Sequence, residues 1–406
     1  MKKIYILIDD ISHTGGTERV ACILCNELST LGYSVFLYSL NFSKNSVKFD
    51  LNNDVTLKTF DKKNRYISLI NIMKHIKKNS GCLITISMGK LSVDVALTSI
   101  FHRPEKIIFS EHISYESFGF FKRKIKKAAY YFADNVIFLT KHDCDILRNF
   151  NDENKKFSYI RNINPYFKSN VPIKDFSTRK NIAIAVGRLT YQKDFESLIN
   201  IWKISKTEDW ELLIIGDGDD FPKLASMINP SDNIKIIPAT TDIASYYNDA
   251  KLLLMTSRYE GLPMVLIESQ FFGVPSIAYD CKTGPKEIII DNITGYVVPY
   301  GDKECFSMKL NSLISNHNLL YTMHNNALNT RNSYDPNVII PKWKNIISKW
   351  PSLIRISENN NDKFYRITFR IQKWKTGIFK WCHRKYTIIS NNSSQWSCFS
   401  KRWRAF

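Results

Sequence analysis

The chain has 406 residues, of which 44% are hydrophobic and 23% charged, an ordinary soluble composition and enough length for two domains. No apolar run approaches the ~20 residues of a membrane span, which excludes an integral helical membrane protein. The net charge is +19, but eleven Lys and Arg and no Asp or Glu lie in Lys363–Phe406, which leaves +8 for everything before it.

The first residues, MKKIYILIDD, superficially suggest a signal peptide, yet the apolar core is short and Asp9 and Asp10 follow at once. They read as a first strand, which predicts a cytoplasmic protein. The eight cysteines are scattered. Cys22 and Cys25 are close and share a helical face, but no second pair or His cluster completes a metal set, so packing as free thiols in a reducing compartment is expected. Next comes the loop ISHTGG, where Gly15 and Gly16 open a helix carrying Val20, Ile23, Leu24 and Leu28 on one side. Gly32 ends that helix. VFLYSL, VTLKTF, CLITIS, KIIFSEH and NVIFLT are further strand-like runs with helical or mixed segments between them. This alternation predicts a Rossmann-like domain over residues 1–165. KIIFSEH ends at Glu111-His112, where a parallel strand would meet a cleft. Phe118–Asp134 contains five bases within Lys122–Lys127 among apolar residues. Such a helix either lies on an anionic membrane surface or is a core helix with a solvated face. Phe157–Asn181 is polar, carries two prolines and reads as a linker.

The second domain is predicted over residues 166–350. A buried strand, IAIAV, ends at Gly187-Arg188, and a helix begins near Asp194. Arg188 and Lys193 are two cations at a strand end beside a helix N-terminus, a combination that suits a diphosphate. ELLIIGDG is another strand and glycine loop, with Gly216 and Gly218. NIKIIP is a strand, and TDIASYYNDAKLLLMTS a helix and strand. Then comes SRYEGLPMVLIESQFFGVPSIAYD (Ser257–Asp280): loop, helix, strand. Glu260 sits at the strand's C-terminal end and Glu268 within the helix. Gly261 allows close backbone approach and Pro263 suits a first helical turn. In open α/β sheets this edge is where ligands bind. Each Glu alone also reads as a helix-dipole partner. CKTGPKEII, with Gly284 and Glu287, follows. NITGYVVP is expected to form a last strand pair with a turn, and helices run on to about Trp350. Residues 351–406 form a basic tail with four of the eight Trp. It suits an anionic bilayer, suits nucleic acid, or has no role.

E-G-L-P-M-V-L-I-E closely resembles the E-x7-E signature of retaining glycosyltransferases of family 4, which have the GT-B fold. The resemblance covers about residues 1–350 and extends to V-G-R-L-x-x-Q-K, to GGTERV and to S-E-H. It implies an α/β fold of two Rossmann-like domains whose parallel sheets face a central cleft. It further implies that Glu260 and the backbone after it (Gly261, Leu262, Met264, Val265) hold the donor sugar and phosphates, and that Glu268 accepts hydrogen bonds from the ribose hydroxyls. By the same resemblance, Arg188 and Lys193, after Gly187, are expected to hold the donor diphosphate, Gly15 and Gly16 to lie over phosphates and acceptor, Gly216 and Gly218 to lie near the base, and His112 to touch the sugar or steady charge at the reacting centre. Asp194 stands where many relatives have Gly. D-C-x-T-G-P-x-E-I resembles bacterial enzymes that build capsules, O-antigens or other glycans from UDP-sugars. No metal or other cofactor is expected. The expected partners are a nucleotide sugar, a lipid-linked saccharide acceptor and an anionic membrane surface, reached through Lys122–Lys127 and the tail, with the enzyme peripheral on the inner face of the cell membrane. No nucleic acid is expected. Competing readings are a nucleotide-sugar epimerase or phosphorylase of the same shape, a two-domain sugar-binding protein and a basic-tail nucleic-acid binder.

Overall fold

A computed structural model describes residues 2–60, 64–149 and 156–349. The basic, Trp-rich tail lies outside the described residues. Before it, the chain builds two parallel sheets, each from repeated strand–helix units.

The first half runs β1 (Lys3–Asp10), α1 (Gly16–Thr30), β2 (Ser34–Asn41), β3 (Thr56–Thr59), α2 (Arg65–Asn79), β4 (Cys82–Ser87), α3 (Lys90–Thr98), β5 (Lys106–Glu111), α4 (Phe120–Tyr130), β6 (Asn135–Phe138), α5 (Lys141–Arg148) and β7 (Phe157–Tyr159). Its sheet has the order β3-β2-β1-β4-β5-β6-β7. The second half runs β8 (Ile182–Val186), α6 (Phe195–Ile204), β9 (Glu211–Ile215), α7 (Phe221–Ser226), β10 (Ile234–Ile237), α8 (Ile243–Asp249), β11 (Leu252–Met255), α9 (Met264–Phe271), β12 (Ser276–Asp280), α10 (Pro285–Ile288), β13 (Gly295–Pro299), α11 (Lys303–Ile314), α12 (His317–Thr330) and α13 (Pro336–Ser348). Its sheet has the order β10-β9-β8-β11-β12-β13.

Helices cover both faces of such sheets, so central strands are buried on both sides and are mostly apolar. β4, β5 and β11 are buried throughout. In both sheets the strand order reverses beside the first strand, between β1 and β4 and between β8 and β11. A crevice opens at the C-terminal ends of strands at such a reversal. All the predicted site residues sit at these edges, in the loops after β1, β5, β8, β9 and β11 or in the helices that follow. The two edges share one apolar cluster, in which Val20 and Leu139 pack with Leu262, Met264, Leu266 and Ile267.

Three expectations change. Phe157–Tyr159, assigned to the linker, pairs with β6 as the edge strand of the first sheet. The predicted final strand pair is one strand, β13, beside an isolated bridge from Asp291 to Gly295. The boundary at 166–350 put α13 in the second domain, but Ile339, Ile340, Trp343 and Ile347 pack into the core of the first sheet. Pro341 falls inside α13, and the periodic apolar face, not propensity, places the helix.

Candidate active site

The loop after β8 carries the two cations. Lys193 Nζ lies 2.6 Å from Glu260 Oε1, and the side chains are 18% and 9% exposed. The pair brings the β8 loop and the β11 loop together. Arg188 is exposed and makes no ion pair among the described residues. Asp194 adopts φ +52, ψ 45, the left-handed region that Gly occupies freely and Asp tolerates. It also uses its carboxylate, which takes Arg258 NH2 at 2.7 Å. A Gly there would supply the backbone without that partner. Gly216 and Gly218 serve packing. A Cβ on Gly216 would stand 1.9 Å from the Gly187 carbonyl oxygen, and one on Gly218 would stand 2.2 Å from that of Leu189. The loop after β9 is thereby laid flat against the loop that presents Arg188.

Across the cleft, the first domain comes into contact with the Glu260 loop. A Cβ on Gly261 would stand 2.5 Å from the His112 carbonyl oxygen, and one on Gly16 would stand 3.2 Å from Met264 Cγ. His112 is therefore fixed beside the residue that follows Glu260, although the two are far apart in sequence. Its Nε2 lies 3.0 Å from Ser110 Oγ, and burial pushes the ring's pKa down to about 4. The ring is neutral near pH 7, so it can donate or accept a hydrogen bond but carries no charge. Glu18, in the glycine loop, turns back over Gly15. Burial pushes its carboxyl up, while Arg188 and His13 pull it back. The first domain thus sets a carboxylate near the cation of the second.

Glu268 is 5% exposed. Its Oε1 accepts from Arg19 NH1 at 2.9 Å and its Oε2 from the Tyr247 hydroxyl at 3.0 Å. Both oxygens that the resemblance gave to the ribose already have protein partners. Burial pushes this carboxyl up, and Arg19 and the Tyr247 hydroxyl oppose the shift. A second bridge joins the domains at Glu287, whose carboxylate accepts from the backbone N–H groups of Lys141 at 2.9 Å and His142 at 3.0 Å. These open α5, a helix end that favours a negative group.

Residues 167–330 match the family described as Glycosyl transferases group 1. Over 357 residues the chain is 39% identical to the amylovoran biosynthesis glycosyltransferase AmsD of Erwinia amylovora, covering 86% of this chain and 100% of the relative. The chain belongs to the group 1 glycosyltransferases. It is also 24% identical, over 86% of its length and 99% of the relative's, to a Campylobacter jejuni alpha-1,4-N-acetyl-D-galactosaminyltransferase named for a saccharide acceptor on PP-undecaprenol. Staphylococcus aureus TarM, solved with Fondaparinux, alpha-GlcNAc-glycerol and UDP, superposes with a TM-score of 0.72 at 16% identity, covering 86% of this chain and 100% of that one. The fold of this transferase is GT-B.

The basic helix of the transferase departs from expectation. Lys126 is buried; its Nζ lies 2.6 Å from Glu111 Oε2 and 2.9 Å from the Gly89 carbonyl. Arg123 donates to the carbonyls of Phe118 and Glu116. Lys122–Lys127 is therefore not one continuous basic face. Lys122 and Lys124 are exposed, beside Phe120, Phe121 and Ile125 at 65%, 73% and 43% exposure. Sequence reasoning also missed Arg19 and Tyr247. Arg19 directly follows Glu18 in GGTERV, and a cation in that helix's first turn, where the dipole disfavours it, was the available signal.

Proposed function

We propose that this glycosyltransferase moves a hexose or N-acetylhexosamine from a UDP-sugar to a lipid-linked saccharide, with retention at the anomeric carbon, in bacterial surface polysaccharide synthesis. The observation that carries the reading is the meeting of Arg188, the Lys193–Glu260 pair and the start of α9 at one sheet edge, with His112 against Gly261 from the other side. The name of AmsD supports polysaccharide synthesis, that of the Campylobacter relative a polyprenyl diphosphate acceptor, and the TarM complex a uridine nucleotide.

The anomeric C–O bond breaks through an oxocarbenium-like state while the leaving diphosphate gains charge. Arg188, Lys193 and the N–H groups at the start of α9 neutralise that charge as it develops. In this reading the two side-chain cations do what a divalent metal does elsewhere, and activity persists in EDTA. Glu260 orients the sugar hydroxyls and, by pairing with Lys193, fixes the cation. Neutral His112 offers a hydrogen bond without a competing positive charge. Front-face attack, with the departing phosphate taking the proton of the acceptor hydroxyl, follows from the family resemblance.

Among the described residues no helix is long and apolar enough to cross a membrane. The exposed Phe120, Phe121 and Ile125 beside Lys122 and Lys124 suit shallow insertion at an anionic inner leaflet. We place the enzyme there, peripherally bound and reaching a carrier held in that leaflet.

The test is transfer of label from a panel of UDP-hexoses and UDP-N-acetylhexosamines to polyprenyl-diphosphate saccharides, with the product's anomeric configuration read by NMR. Acceptor-dependent transfer with retention is expected. Turnover of the nucleotide sugar alone would favour the epimerase reading, and an inverted product would remove the retaining mechanism.

A further inference from the structure

Arg19 belongs to the first domain, in the first turn of α1, yet its guanidinium ends on the buried carboxylate of Glu268 in the second domain, 2.9 Å away. Its side chain is 20% exposed and that of Glu268 7%. Two aromatic rings flank it: the guanidinium carbon lies 4.9 Å from the Tyr166 ring centroid and 5.7 Å from that of Phe49. Tyr247, from α8, holds the other oxygen of Glu268. First domain, linker and second domain thus converge on one carboxylate.

Two features decide what Arg19 does. A carboxyl buried to this degree tends to take a proton, and a protonated acid accepts hydrogen bonds poorly. Arg19 opposes this by supplying the counter-charge. An ionised carboxylate offers about four acceptor positions; Arg19 and Tyr247 use two, and a diol needs the others. Held between two rings, Arg19 is not placed to swing aside as a gate would.

We propose that Arg19 is a positioning residue for donor binding, pinning the Glu268 carboxylate from across the cleft and holding the cleft closed so that closure and nucleotide capture are coupled. This rests on the UDP-sugar reading above.

Arg19→Gln in the full chain is expected to raise the donor KM by about 5- to 150-fold, the usual range of intersite coupling, with a smaller change in kcat. Arg19→Lys keeps the charge without the planar fork and should fall between. Without the guanidinium, Glu268 faces, among the described residues, the Tyr247 hydroxyl from α8 and the Tyr166 ring from the linker and no cation, so the acid limb of the donor KM profile should move to higher pH. A role in folding alone would not shift that limb, and melting curves of both variants check the fold. Small-angle scattering without nucleotide should show a larger radius of gyration for Arg19→Gln. An unchanged or lower donor KM, or a pH limb that stays in place, would overturn the proposal. If the wild-type chain binds no uridine nucleotide, the donor reading fails instead. Scattering then decides alone: expansion in Arg19→Gln supports the latch and an unchanged radius refutes it.

Discussion

Lys193→Met tests the ion pair at the centre of the site. Two unit charges 2.6 Å apart attract by about 6 kcal/mol at an effective dielectric near 20. Desolvation of both groups takes back most of that. Removing one partner is a different event, because it leaves Glu260, 7% exposed, without its counter-charge. Breaking a fully buried pair costs about 3–5 kcal/mol, and the partial exposure of Lys193 reduces this to about 2–4 kcal/mol. At about 2.1 cal/mol/K per residue, the melting midpoint should fall by roughly 3–5 °C. Activity should fall further, by about 10²–10³ in kcat, the range for loss of one group that stabilises transition-state charge. The double variant Lys193→Met/Glu260→Gln separates the two effects. With no unpaired charge left, it should recover at least ~1 kcal/mol of stability, measured by urea unfolding, while remaining inactive. Strictly additive stability losses, or recovery of transfer in the double variant, would refute the assignment.

Three further outcomes follow. His112 titrates at about 4 in the folded chain and an unfolded ring near 6.5; the folded state binds fewer protons between these values, so stability is complete above about pH 6.5 and falls by about 3 kcal/mol as pH drops through 4. His112→Asn should flatten that limb in pH-dependent melts. Gly261→Ala puts a methyl 2.5 Å from the His112 carbonyl oxygen and should lower both melting midpoint and kcat, whereas Gly32→Ala, with open space around it but a left-handed backbone at φ +83, should lower the melting midpoint and leave kcat unchanged. Lys122→Gln/Lys124→Gln should weaken flotation with anionic vesicles about thirtyfold, at about 1 kcal/mol per charge lost; Lys126→Met should instead lower stability, because it strips Glu111 of its buried partner.

Much of the edge formed by the loops after β8 and β11 was readable because its parts are local. Glu260, Gly261 and α9 are contiguous, and Gly187, Arg188 and Lys193 lie in one loop whose strand and helix have clear apolar patterns. The alternation of strands and helices was readable for the same reason, because buried parallel strands are short apolar runs between helices; the GT-B architecture followed from the family resemblance, and the strand order emerges only in the fold. What escaped was long-range. Nothing near Arg19 shows that it reaches Glu268, and nothing near Glu287 shows that it meets the start of α5. Lys126 looks like any other base in KRKIKK until the fold turns it towards Glu111. Periodicity gives a helix a buried face but does not say which sheet it covers, which is why α13 was put in the wrong domain.

Calorimetric titration of UDP tests the central claim most directly. UDP should bind the wild-type chain and, at 100 times its dissociation constant, stabilise it by about 2.7 kcal/mol, and Arg188→Ala should lose most of that affinity without a loss of fold. Equal UDP binding in the wild type and in an Arg188→Ala/Lys193→Met double variant, or no binding by either, would contradict a donor diphosphate site at the edge of the second sheet.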